Sequence, residues 1–151
     1  MAQDEAFRLQ NQLCFPIYLA SKEITGKYIQ LLKQYDLTYT QYVVMMYFWN
    51  VGSSNLKEVS RALMLDCSTL SPLIKKLEDK GFLERKRSQQ DERNLLISPT
   101  QKGLELKERT LGVTDEVKTF FDLSAEEIES LKSIVLKLLK KSLEKDDKTD
   151  V

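Results

Sequence analysis

The sequence predicts a mostly helical α+β fold, and three observations predict it. Apolar residues recur at helical spacing over residues 6–35, two short β-like runs near 82–87 and 94–98 read as one hairpin, and helical patterning resumes after residue 100. At 151 residues with 42% hydrophobic content, a single domain over residues 1–151 is expected.

The first helix follows from Leu13, Ile17, Ala20, Ile24, Tyr28, Leu31 and Tyr35, which alternate spacings of four and three and form one apolar stripe. In a helix running from residue 6, Pro16 would leave the Gln12 carbonyl without its amide partner. Thr38 and Gln41 then read as a capping box that opens a second helix over 39–51, apolar nearly all round and so expected at the centre of the domain. After Gly52-Ser53-Ser54, Asn55 with Glu58 starts a third helix running to about Met64. A short turn leads into a fourth over 68–80, where Pro72 is tolerable near the start and Gly81 is expected as a left-handed C-cap. The hairpin follows, with the charged tip 88–93. Helix then runs over 100–121, and Ser124 with Glu127 caps a last one.

Composition excludes several functions. The 23 basic and 23 acidic residues balance, and there is no histidine, the commonest general base and metal ligand. Neither a phosphate-cradling glycine loop nor a Cys-x-x-Cys pair is present. No catalytic residue, metal or cofactor is therefore expected, and the chain does not read as an enzyme. Met1-Ala2-Gln3-Asp4-Glu5 lacks a signal-peptide layout and no apolar run approaches membrane length, so a cytoplasmic location away from membranes is expected. In that reducing compartment Cys14 and Cys67 are either buried or reactive thiols, not a structural disulfide.

Two short helices joined by a tight turn and followed by a hairpin are the layout of a winged helix-turn-helix, here over residues 38–100. The helix from Ser68 would enter the major groove. Ser68, Thr69 and Ser71 offer hydroxyls to phosphates or base edges, and Lys75 and Lys76 offer charge to phosphate. Between Ser68 and Lys102, eight basic residues face five acidic ones, a local net of +3 in a neutral chain. Those lysines could simply be a solvated helix face, but such a face needs no charged ribbon beside it. Arg85, Lys86, Arg87 and Asp91 complete the expected DNA surface, with Arg93 placed to enter a narrow, electronegative minor groove.

The segment Asp91-Glu92-Arg93, with Gly81-Phe82-Leu83-Glu84-Arg85 before it and Leu96-Ile97-Ser98-Pro99-Thr100 after it, resembles the wing of the MarR family. Leu13-Cys14-Phe15, Leu37-Thr38-Tyr39 and Leu65-Asp66-Cys67-Ser68-Thr69-Leu70 are similar to the OhrR-like branch of that family. The resemblance implies a dimeric bacterial regulator that senses peroxide through Cys14, with Tyr28 and Tyr39 as the tyrosines hydrogen-bonded to the thiol. It also implies that the reduced dimer binds operator DNA and that oxidation weakens binding. Cys67, at the start of the groove helix, is a possible second thiol close to DNA. Without the resemblance, Cys14 would more often be a small buried hydrophobe.

The apolar stripe of residues 6–35 and the apolar positions Ile128, Leu131, Ile134, Val135, Leu138 and Leu139 exceed what a small winged-helix core can cover. Residues 6–35 and 101–145 are therefore expected to form a helical dimerisation region. A two-fold dimer would set two groove helices about one DNA turn apart on a palindromic operator. The expected partners are double-stranded DNA, a second copy of the chain, and a peroxide or other small effector. The alternative is a regulator controlled by a small aromatic acid bound between the dimer helices and the DNA-binding lobe, with both cysteines structural; a thiol peroxidase would instead show turnover.

Overall fold

The computed structural model describes residues 8–87 and 95–146. Its helices are α1 (Cys14–Leu32), α2 (Tyr39–Val51), α3 (Leu56–Leu63), α4 (Cys67–Asp79), α5 (Gln101–Arg109), α6 (Val113–Phe120) and α7 (Ala125–Asp146), with strands β1 (Leu83–Arg87) and β2 (Leu95–Pro99) between α4 and α5. The expected α+β architecture is present, mostly helical with one small antiparallel sheet.

The sequence caps form as expected. At α2, Thr38 Oγ1 accepts from the Gln41 amide at 3.2 Å and the Gln41 side chain accepts from the Thr38 amide at 3.1 Å. Asn55 and Glu58 exchange the same pair of bonds at α3, and Ser124 and Glu127 do so at α7. Each box satisfies donors that a helix start leaves open. Gly81, at φ +73°, ends α4, with its amide on Glu78 O and that of Phe82 on Leu77 O. That pair is a Schellman closure, which places a glycine at the left-handed position.

Three expectations about the helices change. The first helix does not run from residue 6: a short 3-10 turn covers Leu9–Asn11, and α1 begins at Cys14. Pro16 therefore lies in the first turn, where amides have no partner within the helix, and Gln12 precedes the helix altogether; proline costs nothing there. Pro72 is the sixth residue of α4, beyond the first turn, so Ser68 O has no amide from position 72 to accept. The helix expected over 100–121 is two helices. Thr110 turns its hydroxyl back onto Leu106 O at 3.0 Å, and Gly112 leads into α6.

The core is centred on α2, as its all-round apolar pattern predicts. Val44, Met45 and Phe48 are fully buried among Leu32, Val59, Leu70, Ile74, Leu77 and Ile97. The strands pair from Leu83↔Pro99 to Arg87↔Leu95. Ser54 adds a one-residue third strand, its amide on Ile97 O at 3.0 Å and its carbonyl accepting from the Ile97 amide at 2.9 Å. The sheet is thereby tied to the start of α3.

α1 packs against α2 and α6 through its C-terminal half. Its N-terminal half leaves Ile17, Tyr18 and Leu19 exposed, as is Leu13 just before it, and α7 exposes Leu131, Ile134, Leu136, Leu138 and Leu139. No helix among the described residues is long and apolar enough to cross a membrane.

Candidate nucleic-acid interface and thiol site

The helix expected in the DNA groove, α4, buries Leu70, Ile74 and Leu77 against the core. The opposite face exposes Ser68, Thr69, Lys75 and Lys76, whereas Ser71 is half-buried. Lys75 and Lys76 make no ion pair among the described residues. The turn entering α4 is fixed by Met64 at φ +52° and by the Ser60 hydroxyl donating to Leu65 O at 2.6 Å.

In the wing, two of the basic residues are occupied. Arg85 Nε lies 3.0 Å from Glu78 on α4, and Lys86 Nζ lies 2.6 Å from Glu84. The first pair crosses from strand to helix. Arg87 is exposed at the end of β1. Asp91 and Arg93 lie outside the described residues.

Both thiols are exposed, Cys14 as the first residue of α1 and Cys67 as the first residue of α4. Tyr28 and Tyr39 are brought together, their ring centroids 5.0 Å apart, with Tyr42 6.1 Å from Tyr28. Burial raises the Tyr39 phenol above its ordinary value, and the neighbouring Tyr28 and Tyr42 raise it further. Its proton is held, which makes it a hydrogen-bond donor. Cys14 is not at this cluster. It sits fourteen residues before Tyr28 on one helix, about 21 Å along the axis.

Several linking contacts escaped the sequence because they join distant segments. Lys80, at the end of α4, pairs with Asp36 at 2.9 Å and also donates to the Asp36 carbonyl, joining the α1–α2 corner to α4. Trp49 Nε1 donates to Gly103 O at 2.8 Å. Gly103 also packs so tightly that a Cβ there would lie 2.1 Å from Phe82 O. The Ser54 hydroxyl donates to Glu58 at 2.7 Å, and this bond is the main reason the Glu58 carboxyl is held below its ordinary range. An open cleft of about 610 Å³ lies between the corner and α4, lined by Ile29, Lys33, Leu37, Tyr39, Lys76 and Lys80 among others. No cluster of metal-binding side chains occurs among the described residues.

Known proteins resemble this chain in sequence and fold. The chain is 44% identical over 131 residues to the HTH-type transcriptional regulator SarZ of Staphylococcus haemolyticus, covering 84% of this chain and 89% of the relative. It is 38% identical over 132 residues to the organic hydroperoxide resistance transcriptional regulator of Bacillus subtilis, covering 87% and 90%. AbfR of Staphylococcus epidermidis, in its reduced DNA-bound form, superposes with a TM-score of 0.74 at 32% identity over 93% of this chain and 97% of AbfR. An overoxidised DNA-bound form of AbfR matches at a TM-score of 0.72 and 33% identity, over 93% of this chain and 98% of AbfR. Reduced MarR of E. coli shares the fold alone, with a TM-score of 0.70 at 22% identity over 85% of this chain and 96% of MarR. The family described as transcriptional regulator SarA/Rot matches residues 27–110. That span is more than half of the chain, and the chain belongs to the SarA/Rot family of winged-helix transcriptional regulators.

Proposed function

We propose that this regulator binds a palindromic operator as a homodimer, in the cytoplasm, and that oxidation of Cys14 by an organic hydroperoxide releases it. The observation that carries the proposal is an exposed thiol at the start of α1, joined by that helix to a packed tyrosine pair beside the DNA-binding lobe. Likeness to a hydroperoxide resistance regulator and to a protein solved in reduced and overoxidised states supports a thiol switch. The chain acts as a regulator, not an enzyme.

Ser68, Thr69, Lys75 and Lys76 face the groove and its phosphates. Ser71, more covered, contributes at the edge, and Arg87, Asp91 and Arg93 contact DNA from the wing. Arg85 and Lys86, paired with Glu78 and Glu84, act on DNA mainly by shaping the wing. The exposed apolar residues of α1 and α7 form the dimer contact, because patches of that kind on a soluble chain mark an interface.

The Cys14 thiolate attacks the hydroperoxide. An S–O bond forms as the O–O bond breaks, sulfur gives up two electrons, and the departing alkoxide takes a proton to become an alcohol. The product is a sulfenic acid. Tyr28 and Tyr39, reaching the thiolate from the other subunit, donate hydrogen bonds that the oxidised sulfur no longer accepts in the same way. Cys67, beside the groove face, is a second thiol open to modification.

The test is a titration of operator binding by reduced protein, followed by one equivalent of cumene hydroperoxide and an assay of peroxide loss. Release of DNA with stoichiometric peroxide loss supports the proposal; retained binding, or continued consumption with added reductant, opposes it. The cleft beside Lys33, Lys76 and Lys80 favours one second reading, a small aromatic acid as effector. Release of the operator from Cys14→Ser protein by salicylate would select that reading.

A further inference from the structure

We infer that Trp49 is a positioning residue that carries the state of the tyrosine pair to the joint between the groove helix and the wing; the inference rests on the thiol switch proposed above. Tyr42, almost wholly buried, stands between Tyr28 at 6.1 Å and Trp49 at 5.8 Å, the latter edge to face. Tyr42 and Trp49 stand seven residues apart on one face of α2, and Tyr28 meets Tyr42 from α1, so a shift of one ring presses on the next through packed contact. At the far end the indole N–H is fixed on Gly103 O at 2.8 Å.

Gly103 belongs to a knot of four residues. Its amide donates to Thr100 Oγ1 at 3.1 Å, the Thr100 hydroxyl donates to Gly81 O at 2.6 Å, and the Thr100 amide donates to Phe82 O at 3.1 Å. Gly81 closes α4 and Phe82 leads into β1, so this knot is where the groove helix becomes the wing. The missing Cβ of Gly103 lets Phe82 O lie closer than any side chain would permit. The joint has no slack, and a displacement of Trp49 is delivered to both DNA-binding elements together. Coupling through packed side chains and hydrogen bonds of this kind is changed by single substitutions along its course.

Trp49 is also the sole tryptophan, so the intact protein reports on its own relay. The experiment follows tryptophan emission, excited where tyrosine does not absorb, as the full-length dimer is titrated with cumene hydroperoxide. Operator affinities of wild type and Trp49→Phe are then measured in the reduced and oxidised states. The expected results are an emission change that tracks oxidation and is absent in Cys14→Ser, and a reduced-to-oxidised affinity ratio lowered roughly threefold to tenfold in Trp49→Phe. Phenylalanine keeps a ring against Tyr42 and removes only the indole donor and its extra bulk. An unchanged emission spectrum overturns the inference even where the variant does not fold, and so does an undiminished ratio in a folded variant. A wild-type ratio of one defeats the thiol switch itself and the relay with it, an outcome distinct from a large wild-type ratio that Trp49→Phe preserves.

Discussion

Cys14 and Tyr28 lie on the same continuous helix and cannot touch, because their separation of fourteen positions spans about 21 Å of helix axis. A thiol and a tyrosine that must meet can then do so only between two chains. The Tyr28 hydroxyl of one subunit, with Tyr39 held beside it at 5.0 Å between ring centroids, would face the Cys14 of the other. A mixed dimer tests this, with Cys14→Ser on one chain and Tyr28→Phe with Tyr39→Phe on the other. Its one remaining Cys14 is expected to react with hydroperoxide at the wild-type rate. The rate of the homodimeric tyrosine variant would place the contact within a chain.

Lys75 and Lys76 stand on the exposed face of α4 without an ion partner among the described residues. Each substitution to Ala is expected to lower the salt slope of log K for operator binding by about one unit, because one fewer phosphate counterion is released. An unaltered slope, measured by titration at several salt concentrations, returns these lysines to an ordinary solvated helix face. Arg85→Ala, with Glu78 already neutralising it, should change that slope less than either lysine does.

Gly103→Ala places a carbon 2.1 Å from Phe82 O, a backbone atom that cannot step aside without moving the wing. The expected loss of stability is about 1 to 3 kcal/mol, the usual range for forcing atoms into a packed site. Denaturant unfolding measures it, and a midpoint equal to wild type would mean that the joint is looser than its geometry indicates.

Glu58 gives a pH dependence with a definite sign. Its carboxyl is held below the ordinary range chiefly by the Ser54 hydroxyl and by the Asn55 amide. The stability it contributes is therefore present above roughly pH 4 and is lost as the pH falls through its lower folded value. The side chain is largely open to water, so the contribution is small, about 1 kcal/mol or less. Glu58→Gln keeps an acceptor for the cap while removing the charge. Its deficit against wild type should be visible at pH 7 and shrink at pH 3; a deficit independent of pH would assign the effect to packing.

What was legible in the sequence is what is decided locally. The boxes at Thr38, Asn55 and Ser124 and the left-handed Gly81 need only residues within a few positions of one another, and all four formed. Helix extents were harder. The periodic stripe ran on past Cys14, but periodicity says nothing about whether enough core lies beneath to hold another turn, and the exposed Leu13 shows how little does. Contacts such as Ser54 with Ile97, Lys80 with Asp36 and Trp49 with Gly103 left no local pattern, because each is fixed only once distant segments have packed. The candidate site divided in the same way. The exposed face of α4 followed from helical spacing, while the occupation of Arg85 by Glu78 needed the strand and the helix in place.

The most direct measurement of the central claim is operator affinity before and after one equivalent of organic hydroperoxide, for wild type, Cys14→Ser and Cys67→Ser. A single equivalent is chosen to stop at the sulfenic rung, before irreversible oxidation. Wild type and Cys67→Ser are expected to lose affinity by roughly tenfold or more, within the usual range of coupling between sites, while Cys14→Ser binds equally well before and after. Release of DNA by Cys14→Ser to the same extent as wild type would contradict the account.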